Sequence, residues 1–201
     1  MFVSFEGLDG AGKTTQVELL AEALLREGRE VVATREPGGT PLGEELRRLL
    51  LHAEDMAPWA EAALFAAARA ELVHRVIRPA LERGADVICD RYVDSSLAYQ
   101  GIARELGVEA VLALNRPLIG DAMPDRTFLL LLDPETARNR GGSARDRIER
   151  EGPDFWRSLD DAYRRLAALY PERIVPLDGS LSPEELAEAV RQSLVGSGAL
   201  A

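Results

Sequence analysis

The stretch Gly7-Leu8-Asp9-Gly10-Ala11-Gly12-Lys13-Thr14 fits the pattern G-x-x-x-x-G-K-[ST], in which a glycine-rich loop wraps around a polyphosphate. A run of strand formers, Phe2-Val3-Ser4-Phe5, precedes it, and a segment with helical spacing of leucines follows from Thr15 to Leu25. A strand, a loop and a helix in this order are the context that such a loop requires. The sequence therefore predicts a phosphate-binding loop (P-loop) at residues 7–14.

Each residue type in the loop has a physical reason to be there. Glycines allow positive φ, so the backbone can turn its N–H groups inward around phosphate oxygens, and the helix N-terminus adds partial positive charge. Lys13 is expected to reach the β- and γ-phosphates of a bound nucleotide, and the hydroxyl of Thr14 to contact Mg²⁺. Lys13 is also the only lysine in the chain. The residues predicted to bind the phosphates of this nucleotide are Gly7, Leu8, Asp9, Gly10, Ala11, Gly12, Lys13, Thr14 and Thr15.

Composition limits the possible partners. The chain has 201 residues and a formal net charge of −10, which disfavours binding to nucleic acid or to an anionic membrane surface. Cys89 is the sole cysteine, so an internal disulfide is ruled out and a reducing compartment is favoured. The first residues resemble a strand and not a signal peptide, and no run is long and apolar enough to span a membrane. We expect a cytoplasmic protein.

Beyond the P-loop, strand patterns alternate with helix patterns. This alternation predicts a three-layer α/β P-loop NTPase fold with a mostly parallel, five-stranded sheet, formed by residues 1–201 as one domain. The later strands are expected at 30–34, 86–90, 126–133 and 173–177. Helices are expected at 43–52, from 58 to 79 or 83, at 91–101 and 108–115, from 134, at 153–170 and after Ser182.

Two further segments have functional character. An apolar strand that ends in Asp90 is typical of an element that holds Mg²⁺ through water. Residues 139–152 contain several arginines and two adjacent glycines, Gly141 and Gly142, a composition that predicts a mobile lid.

A P-loop alone identifies nucleotide binding and not a reaction. A GTPase needs an N-K-x-D guanine reader, and a deviant partition ATPase needs a second loop lysine; with Lys13 as the only lysine, neither is possible. Two classes of protein remain open on these grounds. One is a kinase for a nucleoside monophosphate or a related small phosphate acceptor, and the other is a nucleotide-binding switch with slow hydrolysis.

Four motifs together resemble those of the thymidylate kinase family, in the family's order and spacing, from Phe2 to about Leu194. They are Phe5–Thr15, Thr34-Arg35-Glu36-Pro37-Gly38-Gly39-Thr40, Asp90-Arg91-Tyr92 with Ala98-Tyr99-Gln100-Gly101, and Asp146-Arg147-Ile148-Glu149. The resemblance implies transfer of the γ-phosphoryl group of ATP to dTMP, with Mg²⁺, by a homodimer. It also implies that a loop with a plain Gly10-Ala11 takes its catalytic arginine from the lid, where Arg138, Arg140, Arg145 and Arg147 are the candidates. Among these four, Arg140 and Arg145 are our own selection.

The acceptor is an anionic phosphate, so the reaction needs positioning and charge neutralisation more than a general base. Arg91, directly after Asp90, is expected to clamp that phosphate, with Arg35 assisting or ordering its loop. Asp9 is expected to contact the 3′-hydroxyl or to help place the acceptor. The remaining residues expected at dTMP are Glu36, Phe65, Arg69, Ser96, Tyr99 and Gln100.

Phe65 and Arg69 lie four residues apart, so both project from one face of their helix. The resemblance implies that Phe65 stacks on thymine and that Arg69 donates to its O4 carbonyl. It also implies that Ser96 and Gln100 approach the base and that Tyr99 crowds the sugar 2′ position.

Overall fold

The computed structural model describes residues 1–140, 146–148 and 150–200. Five parallel strands form one sheet in the order β2-β3-β1-β4-β5. Their bounds are Phe2–Gly7 (β1), Val31–Arg35 (β2), Asp86–Asp90 (β3), Arg126–Leu131 (β4) and Ile174–Asp178 (β5).

Helices connect the strands and cover both faces of the sheet, which confirms the predicted fold class. Their bounds are Lys13–Arg26 (α1), Pro41–His52 (α2), Pro58–Leu72 (α3), Arg78–Glu82 (α4), Val93–Ser96 (α5), Val108–Ile119 (α6), Pro134–Arg140 (α7), Pro153–Leu169 (α8) and Pro183–Gly196 (α9). Two π-helical segments, Val73–Ile77 and Leu97–Ala103, continue α3 and α5. Among the described residues, no helix has the length and apolarity needed to cross a membrane.

The sheet order places the functional loops at one edge. Strand β1 is central and fully buried, with Val3 paired to Ile88 of β3 and Phe5 paired to Phe128 of β4. Because the chain leaves β1 towards β2 and leaves β4 towards β5, in opposite directions across the sheet, a crevice opens at the carboxyl end of β1, where ligands bind in open α/β sheets. The P-loop follows β1, and Asp90 ends β3 at the same edge.

Several predicted boundaries were wrong, for tertiary reasons. Helix α6 was expected to end near Asn115 but runs through Pro117 to Ile119, whose side chain is buried in the core, and Gly120 ends it with φ +58°. The long helix after Pro58 is not uniformly α-helical. Its π segment lies just before Pro79, where a wider turn accommodates a residue that lacks the N–H and crowds the preceding turn. Strands β4 and β5 also differ by one or two residues from the predicted ranges.

Gly7 joins β1 to the P-loop in a way that no other residue type can. Its φ is +134°, and a Cβ atom there would lie 2.5 Å from the carbonyl oxygen of Leu130 on β4. Gly28, after α1, also has positive φ (+80°), but a Cβ there would contact nothing within 4 Å.

We predict that Gly7→Ala destabilises the protein more than Gly28→Ala. Gly28→Ala should cost only the conformational penalty of positive φ, about 1–2 kcal/mol. Gly7→Ala adds overpacking against β4, roughly a further 1–3 kcal/mol. Urea unfolding of the two variants measures the difference, and equal losses would show that β4 relaxes without cost.

Candidate active site

The P-loop forms the floor of the first cleft. Positive φ at Gly10 and Gly12 shapes the turn, and Gly12 is the N-cap of α1. Lys13 is buried and its Nζ donates to the carbonyl oxygen of Leu8 at 2.9 Å, so the ammonium spans the loop. The residues that line this P-loop cleft are Asp9, Gly10, Gly12, Lys13, Thr14, Thr15, Arg35, Glu36, Arg47, Asp90 and Arg91. Leu8 and Ala11 are buried beneath it, and Gly7 ends β1.

The two residues predicted to hold a metal ion lie together. Thr14 Oγ1 donates to Asp90 Oδ2 at 2.6 Å, which joins the first turn of α1 to the end of β3. A hydroxyl oxygen and a carboxylate beside a phosphate cradle are hard oxygen ligands of the kind that Mg²⁺ prefers. No cluster of three or more histidine, cysteine or acidic side chains suited to a metal occurs in the described part of the chain.

Arg91 sits where the P-loop cleft meets a second one. Its backbone has φ +67°, uncommon for a residue with a side chain. Its Nη2 donates to Asp9 Oδ1 at 2.6 Å, and its Nη1 donates to Tyr163 and Ser95. Burial raises the pKa of Asp9, but the charges of Arg91 and Lys13 outweigh it and hold that pKa well below its usual range. Asp9 is therefore an anion that fixes the Arg91 guanidinium.

The buried side chain of Glu6 holds residues that contact Arg91. Glu6, on β1, has no exposed surface and accepts hydrogen bonds from the backbone N–H groups of Tyr92 and Ser95. Its Oε2 also accepts from Ser95 Oγ at 2.6 Å and from the Tyr163 hydroxyl at 3.0 Å. Burial raises the pKa of Glu6, and the neighbouring charge of Asp94 adds to this. Tyr163 thus contacts both Glu6 and Arg91, which links α8 to the end of β3.

The second cleft, called the acceptor cleft below, opens beside the first and contains most of the predicted dTMP-binding residues. Asp9, Glu36, Arg47 and Arg91 line both clefts, so the two meet at these four side chains. The residues that line the acceptor cleft are Asp9, Glu36, Pro37, Arg47, Leu51, Phe65, Arg91, Ser95, Ser96, Tyr99, Gln100, Asp146 and Ile148.

Arg69 does not line the acceptor cleft, unlike its predicted neighbours. Its side chain is 1% exposed, and Nε and Nη2 both donate to Glu36 Oε2, at 2.9 and 2.6 Å. Nη1 donates to Asn115 at 2.6 Å, and Nη2 also reaches Ser96 Oγ at 3.1 Å. Arg69 therefore braces Glu36 and Ser96, two residues that do line the cleft.

A second buried ion pair is formed by Glu61, which lies one helical turn before Phe65, whereas Arg69 lies one turn after it. Glu61 is 1% exposed, and its Oε1 accepts a hydrogen bond from Gln100 Nε2 at 2.8 Å. Its Oε2 lies 2.6 Å from Nη2 of Arg147. Arg147 is further held by Leu50, whose carbonyl oxygen accepts from Nε at 3.0 Å. Arg147, one of the lid candidates, is therefore bound to α2 and α3 in this structure.

The other lid arginines occupy different places. Arg140 ends α7, is exposed and donates from Nη1 to the carbonyl oxygen of Gly179 at 3.3 Å. Arg138 lines a separate cavity with Asp133 and Trp156. Arg145 and Glu149 lie outside the described residues, so the structure does not test the role assigned to Arg145.

Sequence reasoning missed several members of the site. Arg47 lines both clefts and donates to the Pro37 carbonyl oxygen at 3.0 Å, but it looked like an ordinary polar residue of an amphipathic helix. Glu6 lies in the first of the four motifs but was assigned no role, and Tyr163 lies in none of them. Glu61 offered a usable signal, because an acid one turn before Phe65 in an alanine-rich helix shares the cleft-facing stripe.

The buried pair of Glu36 and Arg69 leads to a pH prediction. Burial raises the pKa of Glu36 from 4.5 to about 7, although Arg69 opposes the shift. The folded protein thus retains this proton up to about pH 7, whereas the unfolded chain loses it near pH 4.5. The contribution of protonated Glu36 to the free energy of unfolding is complete below pH 4.5 and is lost as the pH rises through about 7.

We predict that wild-type protein loses stability relative to Glu36→Gln between pH 4.5 and 7, by an amount of the order of 3 kcal/mol. Taking the difference between the two proteins removes the contribution of other titrating groups. Chemical unfolding at several pH values measures it. Parallel pH profiles would show that Glu36 is not the titrating group.

The family of the chain follows from comparison with known proteins. The family model described as thymidylate kinase matches residues 5–190. A thymidylate kinase from Bifidobacterium longum is 51% identical over 199 residues, covering 96% of this chain and 97% of that protein. One from Chlorobaculum tepidum is 46% identical over 206 residues, with 96% of each covered.

A solved structure agrees. The crystal structure of thymidylate kinase from Ehrlichia chaffeensis superposes with a TM-score of 0.76 at 36% identity, covering 88% of this chain and 91% of that one. Sequence and structure thus lead to the same assignment: the chain belongs to the thymidylate kinase family.

Proposed function

We infer that this protein is a dTMP kinase, which transfers the γ-phosphoryl group of ATP to dTMP and releases ADP and dTDP. The observation that carries this conclusion is the meeting of the P-loop cleft with the acceptor cleft at Arg91 and Asp9. Two phosphate groups held on either side of Arg91 face each other, as an in-line displacement between nucleotides requires.

The chemistry asks the protein to hold charge and exclude water. The acceptor oxygen is already anionic, so no residue has to remove a proton from it. On the donor side, Lys13 and the loop N–H groups of residues 7–15 neutralise the ATP phosphates. On the acceptor side, we propose that Arg91 gives up its hydrogen bond to Asp9 and binds the phosphate of dTMP instead. Asp9 then contacts the nucleotide. Arg91 begins this exchange already oriented by Tyr163 and Ser95.

We propose that Mg²⁺ accompanies ATP. The hydrogen-bonded pair of Thr14 and Asp90 supports this, because it offers hard oxygens beside the P-loop. Thr14 would bind the ion directly, and Asp90 would hold it through water. When bound, the ion supplies positive charge to the phosphate oxygens as the bond to the leaving group breaks.

The thymine base is proposed to lie in the part of the acceptor cleft away from the P-loop. The partly buried ring of Phe65 lines this region and is suited to stack on a base. Ser96 and Gln100 offer hydrogen bonds there, and Tyr99 lies over Arg91, whose guanidinium carbon is 5.5 Å from the ring centroid. The buried arrangement of Arg69 supports a different role from direct contact with O4, namely the positioning of Glu36 and Ser96.

We further propose a homodimer and a cytoplasmic location. Leu42 and Leu49, seven residues apart on α2, and Trp59 at the start of α3 are each 50% exposed, which supports a partner surface on these helices. Cys89, the only cysteine in the sequence, is a free buried thiol, as expected in a reducing compartment.

Steady-state ADP formation with dTMP, dUMP, dCMP, dGMP and AMP as acceptors tests the function. We expect ADP formation to depend on the monophosphate and to be most efficient with dTMP. Lys13→Ala should lower kcat by roughly 10³-fold or more, because it removes the ammonium from the donor phosphates. Comparable rates with a purine monophosphate, or hydrolysis that ignores the acceptor, would contradict the assignment.

The lid arginines allow a second prediction. If Arg140 and Arg145 neutralise the transition state on lid closure, Arg140→Ala and Arg145→Ala should each lower kcat with little change in the Kd of dTMP. An arginine that acts in this way contributes about 10³-fold or more. Arg138→Ala is the matched control, because Arg138 lines a different cavity. A loss of rate in Arg138→Ala alone would move the catalytic role to that residue.

A further inference from the structure

The cleft-facing side of α3 carries three residues at intervals of four: Glu61, Phe65 and Arg69. The two ends of this stripe are buried charges, and each holds a cleft residue that lies on another segment. Arg69 holds Glu36, and Glu61 holds Gln100. Gln100 and Phe65 both line the acceptor cleft, so a base stacked on the ring has Gln100 among the polar groups of the same cleft.

The bond to Glu61 fixes which way the Gln100 amide points. A side-chain amide has an acceptor at Oε1 and donors at Nε2, whereas a carboxylate offers acceptors only. Nε2 must therefore face Glu61, at the observed 2.8 Å. Gln100 lines the acceptor cleft and Glu61 does not, so Oε1 is the atom left for a ligand. Rotation of the amide would bring two oxygens together in a buried site.

The carboxylate that sets this orientation is itself held in place. Arg147 Nη2 lies 2.6 Å from its Oε2, and Arg104 Nε lies 3.6 Å from its Oε1. The backbone N–H of Arg147 also donates to the Leu51 carbonyl oxygen at 3.0 Å, which fixes the segment that carries this guanidinium. Glu61 is thus a rigid acceptor at a defined position and not a mobile surface acid.

We propose that Glu61 is a specificity-determining residue that acts through Gln100: it presents the Gln100 amide oxygen to the base and so selects pyrimidines that carry a hydrogen on N3. This inference rests on the proposed function. Thymine and uracil have an N3–H group that donates to an amide oxygen. Cytosine has an unprotonated N3, an acceptor, which would face Oε1 without a hydrogen. Glu61 thereby excludes dCMP without contacting the nucleotide.

Removing the charge of Glu61 alone would leave the Arg147 guanidinium buried and unpaired, which endangers folding. The informative variant is therefore Glu61→Gln combined with Arg147→Gln. Arg147→Gln by itself is the matched control, since it removes the same guanidinium, keeps the bond between Glu61 and Gln100, and leaves the Glu61 carboxylate paired with Arg104, whose Nε lies 3.6 Å from Oε1. A glutamine at position 61 can donate as well as accept, so it holds the Gln100 amide in either orientation.

The experiment measures kcat/KM and Kd for dTMP, dUMP and dCMP in wild type, Arg147→Gln and the double variant. We expect the double variant to lower the preference for dTMP over dCMP by about tenfold or more relative to Arg147→Gln. The preference for dTMP over dUMP should not change, because both bases carry N3–H. In a background that combines Gln100→Ala with Arg147→Gln, Glu61→Gln should no longer affect the preference.

Other outcomes separate the two claims. If the double variant lowers efficiency with all three nucleotides by one common factor, Glu61 has only a structural role and the inference is overturned, while the proposed function stands. If changes at Glu61 alter discrimination equally in the background that combines Gln100→Ala with Arg147→Gln, Gln100 is not the intermediary and the inference is again overturned. If wild type forms no ADP in response to dTMP, the proposed function fails and this inference fails with it.

Discussion

The acceptor side of the site depends on one buried carboxylate, Glu6. Because it has no exposed surface, it must find hydrogen bonds within the protein, and it finds them on two other elements. The N–H groups at Tyr92 and Ser95 hold the turn after β3, and the Tyr163 hydroxyl holds α8. Arg91 is confined between these anchors in a positive-φ conformation. The arginine therefore reaches Asp9 before any phosphate is present, and less of its conformational entropy remains to be lost on binding.

In helix α3, too, buried charged side chains hold cleft residues from other segments, here in the part of the acceptor cleft proposed to bind the base. Its stripe places an aromatic ring between two buried charges, and neither charge contacts solvent. Each charge holds a polar residue from another segment, so the ring and its polar neighbours keep fixed relative positions. A buried ion pair contributes little net stability in general, but losing one partner is costly. Such pairs are suited to specify geometry, which is what discrimination between similar bases requires.

The parts of the site that local sequence encodes could be predicted, and the parts that depend on long-range contacts could not. Gly7 to Thr14 and Asp90 were found because a loop and a strand end have signatures within a few residues. The bond between Tyr163 and Glu6 joins residues 157 apart in sequence, and no local pattern reports it. The role of Arg69 at the base was implied by the family resemblance, and its spacing to Phe65 gives only the face of a helix. What the guanidinium meets there, Glu36 and Asn115, is decided by tertiary packing, as is the extension of α6 to Ile119.

The net negative charge of the whole chain repels anionic nucleotides, whereas the positive side chains of the site attract them. A net charge of −10 would repel two polyanionic nucleotides if all charges acted equally. They do not, because exposed charges are screened beyond about 10 Å in salt, whereas groups within a cleft act at short range in a lower dielectric. Lys13, Arg35, Arg47 and Arg91 converge on the P-loop cleft, and three of them are already paired: Lys13 and Arg91 with Asp9, and Arg35 with Glu44. The acidic residues keep these cations oriented, and the acidic surface disfavours longer polyanions such as nucleic acids, so local geometry selects the ligand.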